Sequence, residues 1–256
     1  MISPPFRTLP VSLLFHRLSF PLFLLFSYLA GATDSEGLNG QEPSSEVYHY
    51  ASPSKDGTGK IYMGREIARM LDHSAAGWLD RPDREAEEKP DLLVRSMNLR
   101  PTDVVADIGA GSGYFSFRMG VMVNEGHILA VEIQPEMLAL IETRAVEKGV
   151  ENVIPVFGTP TDPSLPDTSV HKVLMVDTYH EFSHPREMME AIVRALKPEG
   201  LVFLIEYHGE EPELRIKPLH KMTEVQARME MEAVGLKWLE TRSFLPHQHV
   251  MIFKKQ

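Results

Sequence analysis

Between Val104 and Phe115 the chain reads Val-Val-Ala-Asp-Ile-Gly-Ala-Gly-Ser-Gly-Tyr-Phe. A short β-branched run closes on an acid, glycines follow at alternate positions, and the pattern then turns helical. This constrains the fold more than any other stretch: it predicts strand, tight turn and helix, with a ligand held at the turn. Gly109, Gly111 and Gly113 let the backbone take positive φ and approach a bound molecule more closely than a Cβ permits. Asp107 is expected at the carboxyl end of the strand, facing that molecule.

The spacing narrows the choice of molecule. A dinucleotide loop of the G-x-G-x-x-G type needs glycine at its last position, where this chain has Tyr114. The loop is instead Asp-x-Gly-x-Gly-x-Gly, and an acid two residues ahead of the first glycine repels a diphosphate and attracts a cation. An aminoacyl sulfonium such as S-adenosylmethionine (SAM) suits that charge. Here the chain resembles the class I SAM-dependent methyltransferases, whose first motif is similar to Ala-Asp-Ile-Gly-Ala-Gly-Ser-Gly-Tyr-Phe. The resemblance implies SAM as cofactor.

The chain has 256 residues, 43% hydrophobic and 24% charged, which suits one sizeable α/β core. Its 26 Lys and Arg against 36 Asp and Glu leave a net charge of -10 and disfavour nucleic acid as a partner, because affinity for phosphate backbones comes from clustered cations. Cysteine is absent, which excludes disulfides, thiolate zinc sites and a cysteine nucleophile.

The N-terminal segment has Arg7 and Arg17, no acid before Asp34, an apolar run from Leu18 to Leu29 and then Ala30-Gly31-Ala32. It reads as a secretory signal peptide over residues 1–32, placing the protein outside the cytosol or in a periplasm. The alternative is an uncleaved membrane anchor, which would be the chain's contact with a membrane. Residues 33–59, rich in Ser, Gly, Pro and Glu, are expected to be a flexible linker. Residues 60–100 are expected to form a helical cap, with helices at Ile61 to Leu71 and Pro82 to Asn98 and buried faces at Ile67, Met70 and Leu71 and at Leu92, Leu93 and Met97. Trp78, Arg81 and Arg84 could line a substrate pocket or simply anchor a solvated face.

From residue 101 to 256 strands and helices alternate, the pattern of a doubly wound parallel sheet. Glu132 ends the second strand about 20 residues after the glycine loop, where an acid can accept ribose hydroxyls. Pro135 suits the first turn of the following helix and Gly149 its C-cap. The family resemblance places the loop after the third strand beside the adenine, with Asp162 as the nearest acid, and places Asp177 to Phe182 after the fourth strand, between cofactor and acceptor. That last segment contains His180-Glu181-Phe182-Ser183-His184, the H-E-x-x-H zinc-protease pattern. The protease needs both histidines on one helix face, and Pro185 disfavours helix at His184, so no metal is assigned. Farther on, Arg215, Lys217, His220 and Lys221 could meet an anionic acceptor or form a solvated loop. Thr223-Glu-Val-Gln226 reads as a capping box, and two final strands joined by a short loop imply an antiparallel pair.

The expected fold is therefore a Rossmann-like seven-stranded α/β sheet with an antiparallel last strand and an N-terminal helical cap. The expected activity is methyl transfer from SAM to a small-molecule acceptor by direct displacement. Asp107, Gly109, Gly111, Gly113, Glu132, Asp162 and Asp177 are the cofactor candidates. His180 is the candidate base because its reference pKa lies near neutrality, with Tyr179 facing the sulfonium and Glu181 orienting the imidazole. The rival readings are a SAM-binding module without turnover and a zinc metallohydrolase.

Overall fold

The computed structural model describes residues 47–256, so the expected signal peptide or anchor and residues 33–46 lie outside the described residues. Among the described residues no helix is long and apolar enough to cross a membrane.

A seven-stranded sheet carries the fold. Its strands are β4 (Val104–Ile108), β5 (His127–Glu132), β6 (Val153–Phe157), β7 (Val170–Val176), β8 (Leu196–Tyr207), β9 (Leu236–Arg242) and β10 (Gln248–Lys255). They lie in the order β6-β5-β4-β7-β8-β10-β9, with β10 antiparallel to both of its neighbours and the rest parallel. Period-2 alternation sends successive side chains into two cores, as expected for a sheet covered on both faces. Val173, Met175, Leu204, Met251 and Phe253 pack on one side, and Leu174, Phe203, Ile205, Val250 and Ile252 on the other.

Helices α4 (Tyr114–Met122) and α5 (Pro135–Lys148) cover the second face with α3 (Pro90–Ser96), while α6 (Pro185–Ala195) and α7 (Glu224–Glu232) cover the first. Their ends follow the local chemistry. Pro135 opens α5, and Gly149, at φ 61°, closes it by donating its N–H to Ala145 and Val146. Thr223 accepts from Gln226 N–H at the start of α7. The Gln226 side chain does not complete the capping box; it donates to the Met63 carbonyl and to Glu230.

The N-terminal cap differs from the expectation. Tyr48–Tyr50 is β1, and the stretch expected to be a helix from Ile61 is a hairpin of β2 (Gly57–Tyr62) and β3 (Arg65–Ala68). Met63 and Gly64 turn it with φ 48° and 91°, a left-handed pair that matches strand twist and that no helix interior tolerates. Ile67 is buried, but Met70, set on the same helical face by spacing, is 48% exposed. The second expected helix breaks into α2 (Arg84–Glu88) and α3 because Pro90 pushes Lys89 out of the helical region, to φ 47°. A short α1 (Ala76–Leu79) precedes them. On α3 Leu93 and Val94 are buried, as is Met97 just past its end, while Leu92 faces outward.

The hairpin is clamped to the carboxyl end of the sheet. Arg65 makes a two-pronged ion pair with Glu230 of α7, 2.9 Å at each contact, and a third bond to the His180 carbonyl at 3.1 Å. Tyr48 donates to Glu187, and Lys60 to the Ser183 carbonyl at 2.6 Å. These bonds set the turn after β7 against the hairpin.

Candidate cofactor and acceptor site

The glycine loop lies where β4 gives way to α4. Asp107 is buried, accepts from the Ser116 hydroxyl at 2.6 Å, and is pushed up to about 6 by its burial, with Ser116 and Arg84 opposing the rise. A carboxyl held there has lost solvation without gaining a full counter-ion, so a ligand cation would relieve it. Gly109, at φ 71°, lies so close to Thr178 that a Cβ would collide with its hydroxyl, which seats the loop against the end of β7.

Glu132 ends β5 and ties the loop to the next helix. It accepts from Gly111 N–H at 3.0 Å through one oxygen, and from Ile133 and Gln134 N–H at 2.7 and 3.0 Å through the other. A carboxylate has about four lone-pair positions, so three backbone donors leave room for a ligand hydroxyl.

The space beside the loop is a cavity of about 40 Å³, enough for a water molecule. Ligand pockets are typically ~300 Å³ or more. Leu79 and Arg84 close it: the Leu79 side chain would stand 2.7 Å from a Cβ on Gly111, and Arg84 is pinned by Glu88 and by the Leu79 carbonyl, 2.7 Å each. The loop, Asp107 and Glu132 fit the charge and hydroxyls of SAM, and α1–α2 must withdraw to admit it. Arg84 lines this cavity. Trp78 is half-exposed under the Arg81 guanidinium, and Arg81 is spent on Glu87 and Glu88.

The other expected residues are placed unevenly. Asp162 is exposed, and its carboxylate accepts from Ser164 N–H of its own loop. Asp177 holds a left-handed backbone at φ 49°, a strained conformation of the kind that collects at functional sites. One of its oxygens accepts from Gln248 at 2.7 Å, and the other is enclosed without a partner. Burial, with Glu88 and Glu206 nearby, raises its pKa well above the usual carboxylate range.

After β7 the chain makes a 3-10 turn, Tyr179–Glu181. Tyr179 packs into the core and donates to Glu230 at 2.7 Å, which leaves it no group to offer a sulfonium. His180 is 1% exposed with both ring nitrogens engaged, Nδ1 at 2.6 Å from Glu206 and Nε2 at 3.0 Å from His220, so it does not offer a free base to an acceptor. Glu181 lies 3.8 Å from His180 Nε2, a contact rather than a clamp on the ring. His184 precedes α6 with φ -136° and faces Ser183, so the H-E-x-x-H spacing does not put two imidazoles on one helix face. The later basic residues are dispersed: Lys217 pairs with Asp56, Lys221 donates to the Glu211 carbonyl, and Arg215 is exposed.

Glu206 and Glu230, both fully buried, escaped the sequence reading. Glu206 had a signal, being a lone acid inside the apolar strand Leu-Val-Phe-Leu-Ile-Glu-Tyr. Leu79 and Asp56 had none.

Strand order, an antiparallel penultimate position and the acid-glycine loop define a Rossmann-like methyltransferase fold. Residues 105–200 match the family model described as a methyltransferase domain. Over 120 residues it is 31% identical to a Bacillus subtilis protein named "Uncharacterized methyltransferase YcgJ", covering 47% of each chain. The chain spans about half the length of the curated relatives it matches. Its fold is similar to a SAM-dependent methyltransferase from Aquifex aeolicus, with TM-score 0.69, 23% identity, and coverage of 73% of this chain and 100% of that one. It is also similar in fold to the [4+2]-cyclase SpnF, with TM-score 0.58, 17% identity, and coverage of 75% and 86%.

Proposed function

We propose that this protein transfers a methyl group from SAM to a small-molecule acceptor. The observation that carries the reading is the pairing of Asp107 with Glu132 across the glycine loop, one carboxyl short of a cation and the other short of a hydroxyl donor. Bound SAM would supply a methyl group on a cationic sulfur. Asp107 would balance the positive charge, Glu132 would hold the ribose, and the closed α1–α2 cover would exclude water. Displacement needs no covalent nucleophile, so most of the acceleration can come from holding the acceptor in line. With Tyr179 and His180 buried in other contacts, an acceptor needing deprotonation would have to use another base. The net charge of -10 supports a small acceptor over a nucleic acid.

Calorimetry on the pure protein is the test. SAM should bind, and Glu132→Ala should weaken binding by roughly 1–3 kcal/mol, the scale of a charge-assisted hydrogen bond. Failure to bind either SAM or its demethylated product would reject the reading. The second reading, a SAM-binding module without turnover, is favoured by the cover over the loop; intact binding with no label passed from methyl-labelled SAM to any cell-extract fraction would select it.

A further inference from the structure

Beyond the glycine loop, three side chains converge where the turn after β7 meets the 3-10 turn Pro218–His220: His180, Glu181 and His220. Each already has its outer polar atom occupied. The Glu206 carboxylate takes the His180 backbone N–H at 3.2 Å and lies 2.6 Å from ring Nδ1, which fixes Nδ1 as the protonated nitrogen and leaves a lone pair on Nε2. Glu181 Oε2 accepts from Leu71 N–H at 3.0 Å, leaving Oε1. His220 Nε2 lies 2.8 Å from Asp56 Oδ2, an ion-pair distance although too far off line for a good hydrogen bond, and Asp56 is itself held by Lys217 at 2.8 Å.

The three remaining atoms face one another. His180 Nε2 and His220 Nδ1 are 3.0 Å apart, and Glu181 Oε1 is 3.4 Å from His220 Nδ1 and 3.8 Å from His180 Nε2. Three lone pairs at such distances repel one another unless a proton or a metal cation lies between them, and a metal ion would satisfy all three at once. Ligands about 2.0–2.1 Å from a tetrahedral metal are separated from one another by about 3.3 Å, within the span observed. Backing each metal-bound imidazole with a carboxylate is the usual outer arrangement of such centres, and here Glu206 and Asp56 stand in those places. We infer that His180, Glu181 and His220 bind a divalent transition-metal ion, zinc or iron in chemical class, through two imidazole nitrogens and one carboxylate oxygen.

This is a different set from the H-E-x-x-H pattern, since His184 takes no part and His220 comes from 40 residues downstream of His180. Three protein ligands leave a coordination position open, and the Glu181 and His220 side chains are 11% and 17% exposed, so water or an oxygen of a small molecule can reach the ion. The ion would lie close in sequence to Thr178, which touches Gly109. If the methyl-transfer reading holds, the open position suits an acceptor oxygen, and that clause alone rests on that reading.

The full chain, stripped with a chelator, is titrated with zinc by calorimetry and with cobalt by visible absorption. One equivalent of each should bind, cobalt with the bands of a four- or five-coordinate site. His220→Ala and Glu181→Ala should weaken zinc roughly 100-fold or more, and the outer variant Asp56→Asn, at a partly exposed position, by roughly 10- to 100-fold. His184→Ala should change nothing, and circular dichroism checks that each variant is folded. Absence of a saturable site overturns the inference, as does zinc affinity unchanged in folded His220→Ala and Asp56→Asn. A proton shared between the two rings and undisturbed by zinc, seen by NMR, also overturns it. SAM affinity measured on the same samples separates the two readings: protein that binds SAM but takes up no zinc defeats only the metal site, and protein that takes up zinc but binds no SAM defeats only the methyl-transfer reading.

Discussion

Two buried polar centres flank the carboxyl end of the sheet, and they are built in opposite ways. Around Asp107 and Glu132 the partners come from one strand-loop-helix-strand unit, with Ser116 nine residues from Asp107 and Gly111 twenty-one from Glu132. Around His180 they come from three distant segments: Glu206 lies 26 residues away, His220 40, and Arg65, which holds the His180 carbonyl, 115. The hydrogen bonds of the first centre need only local geometry to form. The second exists only once the hairpin, the turn after β7 and the excursion before α7 have docked, so its stability is that of the assembled fold.

The strongest way to break the distant centre is Glu230→Ala. It would leave the Arg65 guanidinium buried without its two-pronged partner and Tyr179 without an acceptor. The expected loss is about 3–5 kcal/mol of unfolding free energy, measured by urea denaturation, and the hairpin amides should lose hydrogen-exchange protection first. A loss under 1 kcal/mol, on the order of a surface pair, would show that the clamp is dispensable.

At the local centre, Gly109→Ala combines a left-handed backbone with a collision against Thr178. The expected cost is about 2–4 kcal/mol, with loss of detectable SAM binding. Normal SAM affinity in this variant would mean that the loop does not form the cofactor cradle.

Asp107→Asn sharpens the comparison because its effect has a sign. The unfolded chain releases this proton near pH 4 and the folded chain near 6, so between those values the folded state binds more protons. Stability contributed by Asp107 therefore falls as pH rises through that window and is flat above it. The variant should be more stable than wild type by about 2 kcal/mol at pH 8 and equal to it at pH 4, while SAM binds roughly tenfold more weakly. In wild type, SAM affinity should rise with pH through about 6, because a bound cation favours the ionised carboxyl. A stability difference independent of pH would remove Asp107 as the source.

The smallest expected effect is at the cover. Leu79→Ala removes a partly buried side chain from the approach to Gly111 and should cost about 1 kcal/mol of stability or less, while tightening SAM several-fold, since less must be displaced on binding. Weaker SAM binding would show instead that Leu79 packs on the bound cofactor.

The sequence by itself determined the alternating strands and helices from Asp103 onward, the glycine loop, Glu132 at the end of β5, the start of α5 at Pro135 and its end at Gly149. All are written in short-range rules of spacing, capping and backbone permissiveness that act within a turn or a strand. It did not determine the hairpin. Ile67 and Met70 sit at helical spacing, and only pairing of β2 with β1 and β3, together with the Arg65–Glu230 clamp, makes the extended form win. Nor did it determine that Tyr179 turns into the core, that the His180 ring lies between Glu206 and His220, or that Leu79 lies over Gly111. Those outcomes depend on which side chains meet across tens of residues, and a charge's partner is chosen by the packing that brings it near.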